Sequence, residues 1–448
     1  MILDRVLALH KAYEDGLAAA TRALGCRGMS TNIRPDVTLA SRLFDALREK
    51  TFDGVGVTRE AYGRGEEIAH ALVRAEAEKL GLEIKVDYAG NMYMTLPGSD
   101  RTLSQIILGS HLDSVPQGGN YDGAAGVICG MAVVAGMKQA GFAPKRDVTV
   151  MAIRAEEGGA WFNGFPGSRG ALGSFPPANL AILRPDTGLS LEHHMRELGF
   201  DPEALRTGKK VLGPENVHAY LELHIEQGPV LDAEQIPVGL VTALPGNRRV
   251  RVGKVIGEWN HSGATPRAYR HDAALALAEF AHRLDLFWGE LEAQGVPSVV
   301  TFCTIATTDQ AGFGKVPGEI GFSLDVRAPE PATLDRIYAE IHRLVAEIEA
   351  SRGVKFELSS GQESKPTPMD AGMREALRQS AEGLGIGYKV MPSGGGHDAA
   401  AFAQAGIPSA MVFVRNQNGS HTPLEAMRIE DFAEASTVIA DWAMKASS

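Results

Sequence analysis

Apolar residues recur along this chain with two rhythms, and the change of rhythm divides it. From residue 36 to about 246, short apolar runs alternate with stretches of helical periodicity, the pattern of an α/β layer fold. Ile68, Ala71, Leu72 and Ala75 share one face of a helix predicted over Glu67–Leu80. Glu83–Tyr88 and Met92–Leu96 read as a hairpin turned at Gly90–Asn91. A small-residue helix is expected from Ala124 to Met137, and Ile429–Lys445 reads as a closing helix.

Residues 247–364 run differently. Arg248–Gly257 is a predicted strand, Arg270–Gln294 a helix, Ser298–Thr307 and Glu319–Arg327 strands, Ala332–Ser351 a helix, and Val354–Ser359 a strand. That β-α-β-β-α-β order is the ferredoxin-like arrangement. It predicts an inserted second domain over 247–364, with a discontinuous first domain from 36–246 and 365–448. Residues 1–35 read as an N-terminal helical extension. Their MILDRVLALHKAYEDGL start carries Asp4, Arg5, His10 and Lys11 and reads as an amphipathic helix rather than a signal peptide.

Composition narrows the class. With 44 basic and 55 acidic side chains the formal charge is 44 − 55 = −11, which opposes a nucleic-acid footprint. Local arginines and metal charge still allow a small anionic substrate. No apolar run is long enough to span a membrane. The three cysteines, Cys26, Cys129 and Cys303, are sparse and odd in number, which argues against a disulfide framework and for a cytoplasmic setting.

Four segments share one design, an apolar strand whose carboxyl end delivers a histidine or carboxylate. Ile106–Leu108 leads to His111 and Asp113, Val148–Ile153 to Glu156 and Glu157, Tyr220–Leu223 to His224 and Glu226, and Ala410–Val414 to His421. Ligands of open α/β sheets bind outside the carboxyl ends of strands. Asp122 stands at the head of the Ala124 helix; it is either a plain N-cap or a carboxylate bridging two cations. Asp113 is placed to hold the second imidazole nitrogen of His111. Adjacent residues at a strand end point apart, so Glu157 is assigned as ligand and Glu156 as the carrier of a proton from water to a leaving nitrogen.

With these residues in place, the sequence resembles the amidase, hydantoinase and carbamoylase branch of the aminoacylase-like dinuclear metallohydrolases, which includes N-carbamoyl-L-amino acid hydrolase, β-ureidopropionase and allantoate amidohydrolase. The resemblance covers about 38–445 and rests on GSHLDSVPQGGNYDGAAGV (109–127), RAEEG (154–158), LELHIEQGPVL (221–231), HSGATP (261–266), PSGGGHDAAAF (392–402) and GSHTPLE (419–425). It implies a dinuclear-zinc exopeptidase-like α/β catalytic domain with an inserted ferredoxin-like lid or dimerisation domain. It implies His111, Asp122, Glu157, His224 and His421 as holders of two divalent metal ions, with Asp122 bridging and Glu156 as base. Zinc is the first expectation, with manganese, cobalt or nickel also suited to imidazole and carboxylate ligands. Gln227 is implied as a substrate or metal-adjacent contact. His261 is implied to reach the active site of a second subunit and polarise the scissile carbonyl, which requires a homodimer. Arg327 is implied as the clamp for a substrate carboxylate, a group its guanidinium fork matches. For His397 two readings stand: a ligand contact after the Gly394–Gly396 run, or a plain helix start capped by Asp398.

Two departures from the family pattern bear on selectivity. Gly314 occupies the position of a substrate-binding asparagine, and Trp161 stands where an arginine usually precedes Phe162. The first expectation is hydrolysis of an N-carbamoyl or ureido acid. A related amidase, aminoacylase or aminohydrolase is the alternative, and a dimeric metal-binding protein without catalysis is the reading from another class. The spare carboxylate of Glu156 opposes the last.

Overall fold

The computed structural model describes residues 33–359 and 363–448, so the expected extension over 1–35 lies almost wholly outside the described residues. Helices α1 (Val37–Thr51) and α2 (Arg64–Lys79) come first, and the Asp36 carboxylate caps α1 by accepting from Leu39 N–H. Strands β1 (Glu83–Val86) and β2 (Met92–Leu96) pair antiparallel as the expected hairpin. The first strand is shorter than its apolar pattern suggests. Asp87 ends it by folding its carboxylate back onto the N–H groups of Ala89 and Asn91. Then follow β3 (Gln105–His111), α3 (Ala124–Gln139), β4 (Val148–Ile153), β5 (Val217–Ile225) and β6 (Val238–Val241).

The next stretch contains β7 (Gly246–Ile256), α4 (Ala273–Ala293), β8 (Val299–Thr307), β9 (Glu319–Ala328), α5 (Pro331–Arg352) and β10 (Lys355–Leu358). It is the β-α-β-β-α-β order read from the sequence. The chain then adds α6 (Ala371–Leu384), β11 (Tyr388–Met391), the short α7 (Ala399–Gln404), β12 (Ser409–Val414) and α8 (Ile429–Ser447). Helix α4 begins three residues later than its apolar periodicity suggests, because the Asp272 carboxylate takes the N–H groups of Ala274 and Leu275 and so fixes the start.

One sheet has eight strands in the order β1-β2-β4-β3-β5-β12-β6-β11. Within it β4, β3, β5 and β12 are neighbours and all parallel, so their carboxyl ends meet along one edge. Side chains alternate between two apolar layers, as a sheet covered on both faces requires. Ile106, Leu108, Leu221, Leu223 and Val412 face α1, α3 and α8, whereas Ile107, Tyr220, Met411 and Phe413 face the layer containing α7. Helix α3 is apolar around its whole circumference and every residue from Ala124 to Met137 is buried, the signature of a helix packed on all sides.

The inserted strands form a separate antiparallel sheet in the order β8-β9-β7-β10, to which the short strand Glu363–Ser364 adds a fifth member by pairing with the start of β7. It has its own core, in which Phe280 of α4 and Ile337 and Ile341 of α5 pack on Phe322 and Phe356. The chain enters this unit from β6 and returns from it to the large sheet through α6 and β11, as the α/β reading with an insertion expects.

Candidate metal centre and active site

The edge where the four parallel strands end gathers histidines and carboxylates. His111 is the last residue of β3, Glu156 and Glu157 follow β4, His224 is the next-to-last residue of β5, and His421 follows β12. Three overlapping groups result, each with its ligand atoms close enough to share one ion: His111, Asp122 and His224; Asp122, Glu157 and His421; and His111, Glu156 and Glu157. Asp122 belongs to the first two. One of its oxygens, Oδ1, lies 3.5 Å from His111 Nε2 and 3.2 Å from His224 Nε2; the other, Oδ2, lies 3.4 Å from His421 Nε2. Glu157 Oε1 is 3.4 Å from the same His421 nitrogen, and Glu156 Oε2 is 3.8 Å from His111 Nε2.

The imidazoles are held so that one nitrogen faces inward. His111 Nδ1 donates to the Asp113 carbonyl at 3.0 Å, and His224 Nδ1 donates to the Ile225 carbonyl at 2.8 Å, which leaves Nε2 of each with its lone pair toward Asp122. Close packing enforces this. Gly123, at φ +66°, lies so near His111 that a Cβ there would stand 2.3 Å from the ring, and its N–H points at His224 Nε2. The cap of α3 is this glycine, and the Asp122 carboxylate plays no capping part, so the expectation of a plain N-cap at Asp122 does not hold.

Asp113 does more than the sequence suggests. Its carboxylate lies 3.3 Å from His111 Nδ1, farther than its own carbonyl, and its two oxygens each accept an N–H at 3.0 Å, from Glu156 and from Glu157. Asp113 thus ties the histidine that ends β3 to the glutamate pair after β4. Gln227, in the left-handed region at φ +65°, donates its amide to Asp122 Oδ2 at 2.8 Å. His421 is left-handed as well, at φ +59°. Such backbone costs about 1–2 kcal/mol per residue outside glycine and persists where surrounding contacts over-determine it, here beside the clustered ligands.

Charge is concentrated. Burial pushes the Glu156 carboxyl well above its ordinary range, and neighbouring Glu157, Asp398 and Asp113 add to the shift against the opposing pull of His111. Burial likewise raises Glu157, with Asp122 reinforcing it. For Asp122 burial is outweighed by His224, His111 and His421, which hold it well below the usual carboxylate value. Asp122 and Glu157 in turn push His421 up to about 11. Among the described residues His111 Nε2, Asp122 Oδ1 and Glu157 Oε1 are buried with no hydrogen-bond partner. Three inward-facing N and O donors without partners, in two groups joined by one carboxylate, fit divalent metal ions.

The remaining expected residues fall into two sets. His397 is buried, with its ring 4.3 Å from that of His224 and its Nε2 3.2 Å from Ser393 Oγ; burial and His224 hold it well below the ordinary imidazole value. Asp398 does not cap α7; it accepts the Ser168 hydroxyl at 2.5 Å instead. Arg327, at the end of β9, donates to Asp325 and sends one N–H to the Gly394 carbonyl at 3.1 Å, so it borders the glycine run that precedes His397. His261 and Gly314 lie together on a two-stranded ribbon of the inserted unit, where Lys315 pairs with His261 and the Gly314 carbonyl accepts Ser262 N–H. His261 is exposed, its Nδ1 accepts from Gly263 and Ala264, and no contact among the described residues joins it to the histidine–carboxylate cluster.

Some site residues escaped sequence reasoning. Ser420 donates its hydroxyl to Asp122 Oδ2, and Glu425 accepts the N–H groups of Tyr121 and Asp122 while facing Ser420. Glu425 ends the GSHTPLE stretch, so its signal was present. Arg59 carries none: a lone arginine in a loop, it is fully buried and donates to the carbonyls of Leu112 and Asp122 beneath the cluster.

Residues 107–445 match the profile of the peptidase family M20/M25/M40. The chain belongs to this family. Among its M20 relatives, the N-carbamoyl-L-amino-acid amidohydrolase of Paenarthrobacter aurescens is 32% identical over 404 residues, which are 89% of this chain and 96% of that protein. The allantoate amidohydrolase of Escherichia coli is 32% identical over 362 residues, 80% of this chain and 85% of that one. A hydantoinase/carbamoylase-family amidase from Burkholderia multivorans superposes with a TM-score of 0.83 at 28% identity, covering 93% of this chain and 98% of its own. The carbamoylase branch of the M20 family, named above as a resemblance, is the right one, and the chain is a hydrolase of carbon–nitrogen bonds other than peptide bonds. Membership in M20 implies divalent metal ions, and no helix among the described residues is long and apolar enough to cross a membrane.

Proposed function

We propose that this enzyme hydrolyses N-carbamoyl or ureido acids, adding one water to give the amino acid with carbon dioxide and ammonia. One observation carries the reading: a buried carboxylate, Glu156, stands beside two ligand triads that are complete without it. His111, Asp122 and His224 would hold one zinc ion, and Asp122, Glu157 and His421 a second. Two divalent cations so held supply Lewis acidity to water and to the substrate carbonyl.

Glu156 then accepts a proton from the attacking water and returns it to the departing nitrogen. Gln227, bonded to Asp122, presents the other end of its amide toward substrate. Arg327 binds the substrate carboxylate beside the Gly394 carbonyl. His261 serves the site of a second copy, which explains why it stands apart from the cluster of its own chain, and the inserted unit then mediates a homodimer. His397, kept neutral by its surroundings, supplies a hydrogen bond without adding charge. A related amidase or aminoacylase activity is the second reading. It is favoured by Gly314, which offers substrate no side-chain amide.

The test is ammonia release from N-carbamoyl amino acids, β-ureidopropionate and allantoate, and amine release from N-acyl amino acids, with zinc-reconstituted enzyme and Glu156→Gln. The variant should keep its zinc and lose about 100-fold or more in kcat. Wild-type turnover in Glu156→Gln would remove the proton carrier from the mechanism.

A further inference from the structure

Glu66 has no place in the chemistry just described, yet it is fully buried in the first turn of α2 and aimed at the segment that carries Glu156 and Glu157. After β4 ends at Ile153 the next four residues have no ladder partners. Side chains hold their N–H groups instead. Asn91 Oδ1 accepts from Arg154 at 3.1 Å, Glu66 Oε1 from Ala155 at 3.0 Å, and the two oxygens of Asp113 from Glu156 and Glu157. Glu66 grips this segment twice, because its Oε2 also takes the Arg154 guanidinium at 3.1 Å, and that guanidinium donates on to the Gly90 carbonyl. The same Oε2 accepts Tyr62 N–H at 2.7 Å, so the carboxylate is anchored at its own end.

Ala155 is the residue that needs holding. It lies at φ +56°, in the left-handed region that an L side chain avoids, and it immediately precedes Glu156. The left-handed step turns the chain out of the strand direction and sends the two following carboxylates to different partners, Glu156 toward His111 and Glu157 toward His421. An extended Ala155 would carry both carboxylates elsewhere. We infer that Glu66 is a positioning residue, which with Arg154 holds Ala155 left-handed and so sets the directions of Glu156 and Glu157. The inference rests on the assignment of Glu156 as proton carrier and Glu157 as metal ligand.

The experiment uses the full chain reconstituted with zinc and the substrate turned over fastest in the panel above. Glu66→Gln keeps the shape but replaces one accepting oxygen by an amide that cannot accept from Tyr62, Arg154 and Ala155 together, leaving Glu67 as the carboxylate partner of Arg154; Glu66→Asp keeps the carboxylate but withdraws it from Ala155. Both should lower kcat by about 10- to 100-fold, the scale for removing a partner that orients a ligand, with KM changed less than about threefold. Both should also release zinc to a competing chelator more readily, by a similar factor, because Glu157 is delivered by the same segment. Adding Ala155→Gly to Glu66→Gln should recover part of the lost kcat, since glycine adopts this φ without help. Leu47→Ala, in the buried core of α1, is the control: it should lower Tm while leaving kcat and zinc retention at the wild-type value well below the transition. If the Glu66 variants behave like this control, losing Tm alone, the positioning role is wrong. If Glu66→Gln does not fold, Glu66→Asp decides by the same readings. Glu156→Gln run in parallel separates the two ideas. An inactive Glu156→Gln beside fully active, zinc-retaining Glu66 variants overturns only the inference about Glu66, whereas an active Glu156→Gln overturns the assignment beneath it.

Discussion

Replacing Arg327 by leucine tests where the substrate carboxylate sits. A guanidinium has five N–H groups, and Arg327 uses three within the chain, two on Asp325 Oδ2 and one on the Gly394 carbonyl, leaving two for a ligand. Hydrogen bonds to a charged group contribute about 1.5–3 kcal/mol. At about 1.4 kcal/mol per decade, loss of that interaction predicts a KM for carboxylate substrates raised about 10- to 150-fold. The fold should tolerate the change. Asp325 keeps Arg249, whose Nε donates to its other oxygen at 3.1 Å, and the Arg327 side chain is 31% exposed, so the lost pair costs at most about 1 kcal/mol of stability. The assay is steady-state ammonia release from an N-carbamoyl amino acid and from its neutral carboxamide, with Tm measured alongside. The carboxylate substrate should suffer and the carboxamide should not. An unchanged KM, or an equal loss for both substrates, would refute the clamp.

Two further predictions follow from the same geometry. Gly314 lies at φ +84° with nothing within 4 Å of a Cβ built on it, so Gly314→Asn, the side chain that best tolerates that region, should fold with little change in Tm. If the ureido reading is right it should also lower KM for N-carbamoyl substrates by about 2- to 10-fold, the value of one hydrogen bond; no change in KM for any panel substrate would mean that position 314 does not face the ligand. Stripping divalent metal should lower Tm, because the buried His111, Asp122 and Glu157 atoms lose their proposed partner, and zinc at about 1,000 times its Kd should restore about 4 kcal/mol. Identical melting with chelator and with zinc would argue against an intact site.

Much of the fold was written in periodicity. The four strands beneath the cluster each alternate or run apolar to a polar end, and their parallel adjacency follows once helices intervene between them. The inserted unit was legible for the same reason, since its four strands and two helices keep distinct periods. What the sequence did not announce is the shell around the ligands. Arg59, Glu66 and Asn91 act through backbone groups of residues far along the chain, and a lone arginine, glutamate or asparagine looks the same whether solvated or buried. Nor did it announce that Ala155, Gln227 and His421 adopt left-handed backbone, because none is glycine and the conformation is imposed by partners from other segments. Asp113 was seen as a support for His111, and its larger task, holding the N–H groups of Glu156 and Glu157, needed the folded chain to bring residues 43 and 44 positions apart together.

If the proposed roles hold, selectivity and chemistry can change separately in this fold. The histidines and carboxylates sit at the ends of four neighbouring strands of one rigid sheet, and their N–H and imidazole anchors come from the same unit. Arg327, His261 and Gly314 belong to the inserted unit, which has its own sheet and its own core. A side chain added at 314 meets open space and so moves no residue of the cluster; on the proposed role of that position, it would change what is bound and leave the cluster intact. Relatives named for N-carbamoyl-L-amino acids and for allantoate, at 32% identity in both cases, fit the proposal that one sheet edge supplies the hydrolytic centre while residues of the inserted unit set which substrate is admitted.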